Sequence, residues 1–241
     1  MSVSIKSGTL PSWAQATNES NDLVRLESWL PTLLSTIAGM VDVIGFLTLG
    51  LFTAHVTGNL VVIAALLVRG GPPNIAQVLS VPVFVLAGAA VWLIAKTLER
   101  SAPALPRPLL LIQFLLLVCV LVFSVIYNPA ANPHGLMAVV VAMFDVLAMG
   151  CQFAFLHLGL PSSPSTAAMT GNLTNLALSL LDTLFPNQPL TQGANERLKK
   201  TSRVIVGFFV GCLAGAAAVS FLGDWAWLAP VALAGAALAL R

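Results

Sequence analysis

The chain has 241 residues, 58% of them hydrophobic and only 8% charged, with a formal net charge of +2 and a mean hydropathy of +0.93. A soluble domain carries about 25% charged residues, so a bilayer is the solvent that suits most of this chain. Disorder, a secreted disulfide scaffold and nucleic-acid binding are excluded, because the 11 Lys and Arg residues are few and scattered between apolar runs.

The first 29 residues hold Lys6 and a polar stretch from Ser12 to Asp22 in place of an apolar core ending in small residues. A poorly ordered cytoplasmic tail is therefore expected, not a signal peptide. Its last part, Leu23 to Leu30, alternates apolar positions with Arg25 and Glu27 and fits a short helix lying at the interface. Residues 30–241 read as a single membrane domain.

Eight apolar segments follow, each judged by whether roughly 17 to 25 residues can cross about 30 Å of hydrocarbon as a helix. They are 31–50, 53–69, 78–97, 108–127, 135–157, 168–185, 204–222 and 224–240. The expected fold is an all-α polytopic membrane helix bundle of about eight spans, with six or seven as alternatives. The second and sixth segments are the weakest. Each follows Gly-, Thr-, Ser- or Pro-rich chain, Gly50 to Thr57 and Gly159 to Thr170, and fits a half-span entered from a re-entrant stretch.

Counted over eight spans, Lys6, Arg25, Arg69, Arg197, Lys199, Lys200, Arg203 and Arg241 fall on one side and Lys96, Arg100 and Arg107 on the other. The majority side is cytoplasmic by the positive-inside rule, which places both termini there in an inner membrane. The polar loop 186–203 is the firmest cytoplasmic marker, and the stretch Arg100 to Arg107 is expected outside.

One tripeptide occurs twice, as Thr57, Gly58, Asn59 and as Thr170, Gly171, Asn172, each opening a short apolar segment. Upstream lie Gly39, Met40, Val41, Asp42 in the first half and Met149, Gly150, Cys151, Gln152 in the second, with Pro161, Ser162, Ser163 and Pro164 lengthening the second interval. The chain thus divides into repeat one, about 31–127, and repeat two, about 135–240. An even number of spans per half would make the repeats parallel and an odd number would make them inverted. Interrupted segments in matching positions point to transporter folds.

The run from Ala38 to Phe46, the run from His55 to Asn59 and the run from Met169 to Leu173 resemble the signature of YoaK-type bacterial inner-membrane proteins, domain-of-unknown-function family 1275. The resemblance covers about residues 31–222. It implies location and fold more than activity. Phe153 follows Gln152 where the family more often has Asn, which departs from its polar pair.

Asp42 lies midway along the first span, where an ionised carboxylate costs roughly 2.5 to 3.5 kcal/mol unless paired or wet. With no Lys or Arg inside any span, Asp42 and Asp145 must look to amides, hydroxyls, water, a ligand or a proton. Asp42, Thr57, Gly58, Asn59, Gln152, Thr170, Gly171 and Asn172 are the candidate solute-binding residues, with Thr57 and Thr170 as helix N-caps around one cavity. Asp42, Asp145 and His55 are candidates for proton or ion coupling; His134 and His157 are weaker ones. The competing reading makes the same residues interhelical glue. Gly207, Gly211 and Gly215 form a smooth face for close helix packing, and Cys119, Cys151 and Cys212 are packing residues with no metal-ligand spacing.

A secondary transporter or carrier of a small solute is the leading expectation, and a non-transporting scaffold or partner subunit the alternative. An enzyme is not expected, because no nucleophile elbow, paired His and Glu spacing or Cys/His cluster is present. Neither a metal nor a cofactor is expected. The partners are the bilayer and a small solute, with homo-oligomerisation left open.

Overall fold

A computed structural model describes residues 12–71, 74–98, 106–160, 163–166, 168–184 and 194–239. Among them the chain is helical, with no strand: α1 (Ser12–Leu49), α2 (Thr57–Arg69), α3 (Ile75–Leu98), α4 (Pro106–Tyr127), α5 (Leu136–Gly159), α6 (Met169–Leu184), α7 (Ala194–Leu222) and α8 (Leu228–Ala239). Lys6, Arg100, Pro161, Ser162 and Arg241 lie outside the described residues. Helix α1 is continuous from Ser12, so no separate interfacial helix ends at Leu30. The expected loop 186–203 is also shortened, because α7 starts at Ala194 with Glu196 in its first turn, where a carboxylate suits the helix dipole.

Five helical runs are long and apolar enough to cross a bilayer: Trp29–Leu49, Ile75–Thr97, Arg107–Tyr127, Leu136–Gly159 and Asn195–Ala239. The last holds both α7 and α8, parted by a 3-10 turn at Gly223–Trp227. Helix α2 has 13 residues and α6 has 16. At 1.5 Å per residue they reach roughly 20 and 24 Å, short of the hydrocarbon thickness.

Hydrogen bonds fix which helix ends lie together. Asn74, just before α3, donates to the carbonyl of Leu49 at the end of α1 at 3.2 Å and to that of Pro133, just before α5, at 3.3 Å. Gln77 donates to the Gly50 carbonyl at 2.8 Å. The end of α1 and the starts of α3 and α5 therefore share one level, here the second face, and the chain between Gly50 and Asn74 makes no net crossing. At the other end Gln152 of α5 bonds both Gln113 of α4 and the carbonyl of Leu34 in α1, while Ser35 donates to Val204 of α7 at 2.7 Å. The start of the apolar part of α1, the starts of α4 and α7, and the end of α5 thus lie at the first face. The end of α5 and the start of α7, which flank α6 in sequence, therefore also lie at one face.

This geometry departs from the alternating placement of loops that eight full crossings would give. Arg107 at the start of α4 and Arg197, Lys199 and Lys200 at the start of α7 fall on one face, not on opposite ones. Helix α8 runs back across the bundle, since Gly235 near its end packs on Phe114 in the first turns of α4.

Three seams hold the bundle, α1 on α7, α3 on α5 and α4 on α5. In the first, the glycine face reads as a packing surface: Gly207, Gly211 and Gly215 lie against Thr32, Thr36 and Met40 in register, and Gly39 lies against the Phe208 carbonyl. Backbones this close leave no room for a methyl group. Gly211→Ala would drive its Cβ into the Thr36 carbonyl, and it is expected to lose about 1 to 3 kcal/mol. Gly88→Ala, with nothing within 4 Å of the added Cβ, should be neutral. Thermal unfolding of the purified proteins in detergent checks the pair.

Candidate functional site

Helix α1 ends at Gly50, whose φ of +74° no residue with a side chain adopts readily. The chain turns back there toward the bundle centre. Thr53, Ala54 and His55 donate their backbone N–H groups to Asp42 Oδ1 at 3.0, 2.8 and 3.2 Å, and His55 Nδ1 pairs with Asp42 Oδ2 at 2.5 Å. Consecutive backbone N–H groups form a concave seat for an anion, and here the anion is the chain's own carboxylate. His55 stands edge-on to Phe208 of α7, ring centroids 5.1 Å apart, which places the loop deep beside the α1 and α7 seam. The descending loop thus starts α2 near the level of Asp42, and α2 climbs back to the second face.

Asn59 completes this loop. Its amide accepts from Phe52 N–H at 2.8 Å, donates to the Phe52 carbonyl at 2.7 Å and donates to Ser80 Oγ of α3 at 2.9 Å. Ser80 in turn donates to the Gln77 carbonyl at 2.7 Å. A side-chain amide facing one residue's N–H and C=O copies a strand pairing and satisfies both groups where no water is at hand. Asn74, Gln77 and Ser80 escaped the sequence reading, although Asn74 followed by Gln77 is an N-cap spacing and Asn74 Oδ1 does accept from Ala76 N–H at 2.9 Å.

The second copy uses the same spacing. Asn172 donates to the carbonyl of Ser165 at 2.6 Å, seven residues earlier, as Phe52 is from Asn59. Six residues before each Asn lies a fully buried Thr, Thr53 and Thr166, and both hydroxyls lack a partner among the described residues. The surroundings differ. A Cβ on Gly58 would meet the Phe52 ring at 3.0 Å, whereas on Gly171 its nearest neighbour is Ala168 at 4.0 Å. Beside Gly171 lies a half-open cavity of about 530 Å³, lined by Ser165, Asn172, Asn175, Arg197, Lys200 and Thr201 among others. Arg197 donates to Asn175 Oδ1 across its rim at 3.3 Å.

The two threonines of the tripeptides are not N-caps. Val56 precedes α2 without a side-chain cap bond, and Gly58 and Asn59 donate their N–H groups to the carbonyls of His55 and Val56 at 2.9 and 3.1 Å. A tight first turn has used the groups that a cap or a solute would have taken. Thr170 lies inside α6, where its carbonyl accepts from Thr174 at 3.1 Å. The two motifs therefore do not frame one cavity; the cavity belongs to the second.

Gln152 accepts from Gln113 at 2.7 Å and donates to the Leu34 carbonyl at 2.9 Å, joining α5 to α4 and α1. Its partner is a glutamine on another helix, so Phe153 takes nothing from it; Phe153 packs on Phe84 instead. Asp145 lies on α5 close to Gly45, Thr53 and Asp42. The site residues thus fall into four groups: Asp42, His55, Asp145 and Thr53 deep in the bundle; Asn59 with Ser80 toward the second face; Gln152 with Gln113 between α5 and α4; and Gly171 with Asn172 at the cavity on the first face.

Apolar helices crossing the whole thickness, with polar side chains spent on one another, define an integral membrane protein. The chain belongs to the family described as "Protein of unknown function (DUF1275)", whose model matches residues 30–240. No curated protein and no solved structure matches it.

Proposed function

We propose that the protein is a secondary carrier of a small solute in an inner membrane, built as two inverted halves of three spans each. The spans are α1, α3 and α4, then α5, α7 and the last run, in which the five residues of the 3-10 turn and the 12 of α8 together reach roughly 28 Å. Each half begins with a span followed by a short helix whose flanking spans meet at one face. The observation that carries this reading is that α2 lies between helix ends that meet at the second face and α6 between helix ends that meet at the first. Inverted repeats with interrupted helices are the architecture that rocks between two openings around a central site.

The difference between the two copies supports a defined state. At the second face Asn59 is sealed against Phe52 and Ser80, and at the first face Asn172 borders an open cavity. Arg25, Lys96, Arg107, Arg197, Lys199, Lys200 and Arg203 gather at the first face and Arg69 at the second, which makes the first face cytoplasmic by the positive-inside rule. The state is then open to the cytoplasm, with Asn172, Gly171, Asn175 and Thr201 meeting the solute and Asp42, Asn59 and Gln152 holding the framework.

Thermal stabilisation of the purified protein by a panel of sugars, amino acids, nucleosides and carboxylates tests this, because a ligand at a hundredfold its Kd adds about 2.7 kcal/mol. A carrier predicts a stabilising solute whose effect vanishes in Thr201→Leu and whose uptake into proteoliposomes is lost with it. A scaffold subunit predicts that no solute stabilises the protein and that Thr201→Leu leaves partner binding intact.

A further inference from the structure

Two carboxylates lie in the same buried compartment and are treated in opposite ways. Asp42 receives three backbone N–H groups and the His55 ring. Asp145 is 0% exposed, and neither of its oxygens has a hydrogen-bond partner among the described residues. The hydroxyl of Thr53 lies beside it, equally buried and bonded to no other group among the described residues. Gly45 makes the space between them: a Cβ there would meet Thr53 Cγ2 at 3.4 Å and Asp145 Oδ2 at 3.7 Å.

An anion at this depth with a single hydroxyl, that of Thr53, as the donor beside it is costly, and a second carboxylate, Asp42, stands in the same compartment. Backbone amides cannot relieve it, since those of the loop are already turned to Asp42. A carboxylic acid fits the same space without penalty, because its O–H can donate to Thr53 Oγ1, whose lone pairs are open. We propose that Asp145 is a proton-binding site, its acid O–H directed at Thr53. Resting on the carrier reading, this is the coupling proton. Opening the compartment to water lets the O–H bond of the acid break, the proton leaving to water and the electron pair staying on the carboxylate; closure requires a proton to be taken up again.

The other ionisable groups around Asp145 are few. Asp42 faces it from α1, and His55 from the loop is committed to Asp42. Cys212 of α7 lies within electrostatic reach of Asp42. Helices α3 and α4 carry their only charges, Lys96 and Arg107, at the opposite ends, and Tyr127 is exposed at the last turn of α4.

Infrared difference spectroscopy of the purified protein in nanodiscs, without solute, reads the proton directly. The wild type should show the carbonyl stretch of a buried protonated acid at neutral pH, shifting down in heavy water. Asp145→Asn should lose the whole band, and Asp182→Asn, on an exposed position of α6, should keep it. Thr53→Val should keep the band but move it to higher frequency, as for an acid that has lost its acceptor, and this holds as a test if Asp145→Asn does not fold. Absence of the band at neutral pH, its survival in Asp145→Asn, or an unmoved band in Thr53→Val would overturn the assignment. A band that behaves as expected in a protein that moves no solute would refute the carrier and leave the proton site standing.

Discussion

Asp42→Ala is expected to lose about 3 to 5 kcal/mol of stability, since each buried group left without its partner costs roughly 1 to 3 kcal/mol. The substitution orphans three loop N–H groups and the His55 ring at once. His55→Ala removes one of the four bonds and leaves the backbone seat filled, so about 1.5 to 3 kcal/mol is expected. Asp42→Asn falls between them: its carbonyl serves the N–H groups while its NH2 meets His55 Nδ1. Unfolding in a titration of denaturing detergent, followed by helicity, ranks the three. A fully stable Asp42→Ala would mean that the loop does not depend on the carboxylate, and Asp42 would return to consideration as a ligand of the solute.

Asn59→Leu and Asn172→Leu are expected to behave differently despite their matching places in the repeat. Leucine at 59 strands the N–H and carbonyl of Phe52, each costing roughly 1 to 3 kcal/mol when buried without a partner. It also severs the tie to Ser80, so little folded protein should be recovered. Asn172 makes one bond to a backbone carbonyl, at 2.6 Å, beside a cavity where water can replace it, and its loss should cost about 1 kcal/mol. Gel filtration and a thermal ramp of both variants decide this. Equal losses would show that the two loops are sealed alike and that the open cavity at Asn172 has no conformational meaning.

The eight helices were legible because each is an apolar run, and hydropathy measures what bilayer transfer measures. Their directions were not. Whether α2 crosses depends on where its two ends lie, and that is fixed by Asn74 and Gln77 reaching Leu49 and Gly50, contacts between residues far apart in sequence. The start of α7 at Ala194 was hidden for a different reason: Glu196, Arg197, Lys199 and Lys200 lower hydropathy without lowering helix propensity, so a polar helix read as a loop.

At the site, the energetics of a carboxylate in an apolar span singled out Asp42 and Asp145, and both are buried. The missing information was the partner. His55 and its neighbouring amides lie beyond the end of the span that holds Asp42, and only the left-handed turn at Gly50 brings them back. Gln113 is a lone polar residue in an apolar helix, and the pattern of one sequence does not say that it meets Gln152. In both copies of the tripeptide the asparagine reaches the carbonyl seven residues earlier, while the threonines serve neither helix as a cap.

The inverted, six-span arrangement is tested most directly by lone cysteines at positions 69, 107 and 197 in a chain with Cys119, Cys151 and Cys212 replaced. Each is labelled with a membrane-impermeant maleimide in sealed vesicles of known orientation. Positions 107 and 197 are predicted to react from the cytoplasmic side and position 69 from the other; labelling of 107 and 197 from opposite sides would contradict the arrangement.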